Sequence, residues 1–119
     1  MASKQHGVKI AQGNIAAILD KLQEQSNATY NAVADEIELT ALEIETSAKE
    51  NVPVKTGRLR ASITSIFQRD RLNAFVGTNV EYAQKVEYGE NKRPAKPYLF
   101  PAFFENLPKL EQRLKKITE

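Results

Sequence analysis

The sequence predicts an α+β domain, and three stretches carry that expectation. Residues 28–50 repeat apolar side chains at the period of an α-helix. Residues 58–77 place β-branched and aromatic residues on either side of a polar turn, as a hairpin does. Residues 101–117 form a second amphipathic helical pattern, which closes the chain. With 119 residues there is material for one compact unit, so 1–119 is expected to be a single domain.

Taken in order, residues 1–13 read as a loose or extended arm in which Val8 and Ile10 alternate with Lys9 between Gly7 and Gly13. Asn14 suits an N-cap, and Ile15, Ile18, Leu19 and Leu22 then fall on one face of a short helix. Ser26 and Asn27 either interrupt that helix or cap the next one. The long helix follows. Tyr30, Val33, Ile37, Ala41, Ile44 and Ala48 form one apolar line, and Ala28, Ala32, Leu39 and Leu42 form another well away from it. A surface helix needs one such line, so the second is covered either by the short preceding helix or by another subunit.

Pro53 stops the helix, because proline disfavours helical geometry in the residue before it. The stretch from Val52 to Gly57 is then a tight connection. From Arg58 to Arg69 a strand is expected, with Leu59, Ala61 and Ile63 on one side and Arg58 and Arg60 together on the other. Asp70 to Asn73 makes the turn, and Ala74 to Gly77 begins the returning strand. Tyr82, Ala83 and Val86 sit at helical spacing, with Gly89 placed to end a short helix. A polar loop with two prolines, 89–97, leads to Pro101 in the first turn of the last helix. Its expected inner face is Phe104, Leu107, Leu110, Leu114 and Ile117, with a kink at Pro108.

Composition argues against chemistry. There is no cysteine and only one histidine, His6, which leaves no thiolate, no disulfide framework and no multi-histidine metal site. The five glycines are isolated, so no phosphate loop exists. Acids such as Asp35, Glu36, Glu38, Glu43 and Glu45 belong to the long helix and read as a solvated face. No catalytic residue, cofactor or metal is expected. The longest apolar run is Ile15 to Leu19, too short for a membrane span, and the first residues lack the apolar core of a signal peptide, so a cytosolic protein is expected.

Charge is unevenly placed. The chain up to Asn51 carries a balance of about −4 and the remainder about +6, although the formal total is +2. Such halves are either plain solvated surface or opposite faces for head-to-tail contact between copies. Lys55, Arg58, Arg60, Arg69 and Arg71 make a basic cluster, which suits protein contacts or a small nucleic-acid-binding module with Phe67 or Tyr82 stacking on bases.

Three runs in this order resemble a known family: Ala48 to Ile63, containing Pro53-Val54-Lys55-Thr56-Gly57-Arg58-Leu59; Val76-Gly77-Thr78 followed by Tyr82 to Gly89; and Ala95 to Ala102, containing Pro97-Tyr98-Leu99-Phe100-Pro101. Together they are similar to the tail-completion, or head–tail joining, proteins of long-tailed bacteriophages, also called tail terminator or neck proteins, over about residues 40–118. The resemblance implies a small antiparallel β-sheet packed against the long helix, plus a C-terminal helix. It implies a non-enzymatic ring, usually hexameric; because regulated assembly should not run ahead of its template, a monomeric free subunit is compatible with it. The implied partners are copies of the chain, the head-closure protein and the major tail tube protein, with DNA passing through the ring without specific binding. No membrane is involved, and the implied location is the head–tail junction of the virion, after assembly in the host cytoplasm. The neighbouring head-closure component is the alternative role. Contact residues expected on this reading are Lys55, Thr56, Gly57, Arg58, Arg60, Glu87, Tyr88, Lys92, Arg93 and Tyr98, the basic ones facing acids on a neighbour or on the tail tube. The tyrosines serve equally well as core fillers with hydroxyls at the rim.

Overall fold

The structure, a computed structural model, describes residues 6–11, 26–53, 55 and 57–118. The expected helix of Asn14 to Leu22 lies outside them, as does Thr56. Ser26 caps the long helix α1, Asn27–Asn51, by accepting from the Thr29 amide at 3.3 Å. The first apolar line is the buried one: Val33, Ile37, Ala41, Ile44 and Ala48 are shut away from solvent. The second line faces outward. Val52 turns extended ahead of Pro53 and ends the helix.

The arm becomes a strand. β1, His6–Ile10, buries Val8 and Ile10 and exposes Lys9, the alternation expected of a half-buried strand. β2, Thr64–Gln68, and β3, Asn73–Thr78, form the hairpin, and the antiparallel sheet has the order β1-β3-β2. The turn is a short 3-10 segment, Arg69–Arg71, followed by Leu72 at φ 49°. Tyr30 anchors it to α1 by donating its hydroxyl to the Arg69 carbonyl at 2.8 Å.

Two expectations are corrected. Residues Gly57–Ser62 are a helical turn, α2, and the strand starts only at Thr64. Leu59 and Ile63 are both fully buried whereas Ala61 is exposed, the four-residue step of a helix rather than the two-residue step of a strand. Arg58 and Arg60 therefore do not share a strand face. On the last helix, α4, Leu99–Ile117, the buried face is Leu99, Ala102, Asn106, Leu110 and Leu114. Phe104 points outward and is 64% exposed. The helix continues through Pro108, where both Pro108 and Phe104 are exposed and water can serve the carbonyl that lacks its amide.

α4 lies along α1, and Arg113 bridges them, with Glu36 at 2.9 Å, Glu43 at 2.8 Å and the Thr40 hydroxyl at 2.8 Å. The hairpin and α1 enclose the other half of the core. The short helix α3, Ala83–Tyr88, ends at Gly89, whose φ of 80° favours glycine. This places the 89–97 loop beside the α1–α2 connection.

Candidate interaction surfaces

Three surfaces stand out, and each is built by local packing. The first is a groove of about 920 Å³. It is lined by Pro53 and Lys55 of the α1–α2 connection, by Tyr82, Lys85 and Val86 at α3, and by Glu90, Arg93, Pro94 and Lys96 of the loop. The loop is held in shape by paired backbone bonds, Glu90 N–H to the Arg93 carbonyl at 2.9 Å and Arg93 N–H to the Glu90 carbonyl at 2.6 Å. Lys96 N–H donates to the Val86 carbonyl at 2.9 Å and pins the loop to α3. Lys85 meets Glu90 at 3.4 Å. Among the described residues, Lys55, Arg93 and Lys96 make no ion pair, so the groove carries net positive charge beside the apolar surface of Pro53, Val86 and Pro94.

The second surface is the outer side of α1, where Leu39 and Leu42 are about half exposed and Glu38 and Glu43 flank them. A shallow depression here is completed by Glu105 and Lys109 of α4. The third is an aromatic strip running from the end of α3 along the first turns of α4. Tyr88 packs on Phe100 at 5.8 Å between ring centres, Phe100 on Phe104 at 6.3 Å, and Phe104 on Phe103 at 5.5 Å. Tyr88 and Phe104 are both mostly exposed.

The expected contact residues divide accordingly. Lys55 and Arg93 line the groove, Lys92 tips its loop, and Tyr88 belongs to the aromatic strip. Arg58 has an internal partner: its guanidinium donates both bonds to Glu81, at 2.9 and 3.0 Å, and lies over the Tyr82 ring. This pair holds the Glu81 carboxyl below its ordinary range. Arg60 donates to the Val52 carbonyl at 3.1 Å and braces the end of α1. Gly57 opens α2 with open space around it.

Glu87 and Tyr98 are interior. Glu87 is almost fully buried in α3, and its carboxylate accepts from the Leu99 amide at 3.0 Å and the Phe100 amide at 3.3 Å. It thus supplies the N-terminal cap that Tyr98 does not provide to α4. His6 of β1 completes the cluster, its Nε2 lying 3.3 Å from Glu87 Oε1. No local pattern marks this cap, since an acid within a short helical motif reads as surface.

Burial pushes the Tyr98 hydroxyl well above the usual phenol range, and the Glu87 carboxylate adds to the shift. The unfolded chain releases this proton near pH 10 while the native one keeps it. Stability from this group is therefore complete below about pH 10 and falls as pH rises beyond it. Urea midpoints measured from pH 8 to 11 are expected to drop, and Tyr98→Phe is expected to flatten the drop. An equally steep decline in Tyr98→Phe contradicts the assignment.

Among the described residues no group of three histidines, cysteines or acids is placed to hold a metal, and no helix is long and apolar enough to cross a membrane. An α+β domain whose distinctive features are one charged groove and two apolar patches, all on its outside, is a protein of contact surfaces. Residues 14–89 match the family model described as Bacteriophage HK97-gp10, putative tail-component, and the chain belongs to this HK97-gp10-like family of phage tail components. The match takes in the Pro53 to Leu59 and Tyr82 to Gly89 runs and ends before the Tyr98 run. No curated protein and no solved structure matches the chain. The family makes it a structural component of the phage tail and hence of the virion.

Proposed function

We propose that the protein closes into a ring at the head-proximal end of the tail, completing the tube and joining it to the head. It works by binding and catalyses no reaction. The observation that supports this reading most is the presence of unlike exposed surfaces on one small domain: an acidic helix face bearing Leu39 and Leu42, a basic groove, and an aromatic strip. A closed ring needs heterologous contacts, in which one patch of a subunit meets a different patch of the next. Two of the surfaces then serve neighbours in the ring, and the third is left for the tube or the head-closure protein. DNA passes through without sequence-specific contact.

In-vitro complementation tests the proposal. A lysate from phage unable to make this protein is expected to contain filled heads and separate tails, and adding purified protein should restore infectious particles. Full infectivity before the addition contradicts it.

A further inference from the structure

We propose that the basic groove between Pro53 and Lys96 is the socket for the outer face of α1 of a second copy. This rests on the ring reading and names the two surfaces that meet. Both halves of the contact are present on one chain. The groove offers the apolar surface of Tyr82, Val86 and Pro94 beside Lys55, Arg93 and Lys96, which have no carboxylate partner among the described residues. The α1 face offers Leu39 and Leu42 among carboxylates, of which Glu38 and Glu105 have no ion pair among the described residues. Apolar matter meets apolar matter, and the unpaired charges around it are mainly of opposite sign, Lys109 on the helix side being the exception.

The same charges forbid the simpler alternatives. Two grooves brought together by a two-fold axis set lysines and arginine against each other, and two α1 faces do the same with acids, an arrangement that costs several kcal/mol in like-charge contact. Only groove against helix is favourable, and that is the heterologous arrangement. The bonded loop, fixed by the Glu90–Arg93 pair and by Gly89 packed against Ala95, is formed in advance, so little order is lost on binding. A nucleic acid suits the groove less well. Arg58, the cation beside the groove residue Tyr82, is already held by Glu81.

The absence of cysteine allows a clean trapping test. The double variant Leu42→Cys with Lys96→Cys, treated with a short bismaleimide in the presence of tail tubes, is expected to give a ladder of crosslinked copies. Each single variant should give none. In the same background Lys55→Glu with Arg93→Glu should reduce the ladder at least about tenfold, like Glu38→Lys with Glu105→Lys. Mixing the two charge-reversed proteins should restore it, because each reversed surface then meets its reversed complement. Circular dichroism checks that both are folded.

Crosslinking of single-cysteine variants, or failure of the mixture to recover, overturns the pairing. So does a groove-reversed protein that keeps its ladder while losing salt-sensitive binding to an oligonucleotide. If the mixture fails while the unmodified protein still forms rings on tubes, the ring reading stands and only this pairing falls. If the unmodified protein forms no ring on tubes, the ring reading falls first.

Discussion

Glu87→Ala is expected to destabilise the protein by about 3–5 kcal/mol. The carboxylate joins three elements that are distant in sequence: α3, which carries it; the amides of Leu99 and Phe100 at the start of α4; and His6 of β1. Removing it leaves two amides at a helix N-terminus and a buried imidazole without their acceptor, each at a cost of about 1–3 kcal/mol. Tyr98, the N-cap residue, has no side-chain bond to replace it. Glu87→Gln keeps an acceptor of the same shape and should lose about half as much. Urea unfolding followed by circular dichroism measures both, and a loss below about 1 kcal/mol for the alanine variant contradicts this role.

Gly77→Ala is expected to detach β1 from the sheet. Gly77 lies on the central strand directly opposite Gly7 of β1, with the Phe75 ring against both. A Cβ at Gly77 would stand 2.5 Å from the His6 carbonyl oxygen and 2.8 Å from the Gly7 Cα, closer than van der Waals contact permits. These are backbone atoms, so no side-chain rotation relieves the clash and the strand itself must move. The loss should reach or exceed the upper end of the overpacking range, about 1–3 kcal/mol, because His6 is drawn away from Glu87 as well. Hydrogen exchange of the Val8 and Ile10 amides gives the direct readout. They should exchange much faster in the variant, while the α1 amides of Ile37 and Ile44 keep their protection. Unchanged protection of β1 contradicts the account.

What could be read from the sequence follows from the range of the signal. The two apolar lines of α1 were legible because the period of 3.6 residues resolves two faces over 25 residues, while the exposure of Leu39 and Leu42 comes from the packing. The alternation of Val8, Lys9 and Ile10 marked an extended segment, although nothing local told that it would pair with β3. Residues 58–62 read as strand because Leu59 and Ile63 fit both a period of two and a period of four, and they are helical. Only the exposure of the intervening Ala61 separates the two patterns, and that depends on tertiary packing. Phe104 was placed inward on its hydrophobicity, whereas the helix turns Asn106 inward, where it donates to the Ala102 carbonyl at 2.7 Å. Among the contact residues implied by the family resemblance, Lys55 and Arg93 line the groove, whereas Glu87 and Tyr98 belong to the interior. Their partners lie up to 81 residues away, beyond the reach of any local pattern.

Electron microscopy of purified protein mixed with tail tubes tests the central claim most directly. Closed rings seated on one end of each tube, with bare walls and a bare opposite end, are the predicted result. Tubes with both ends bare, or subunits scattered along their length, would contradict it.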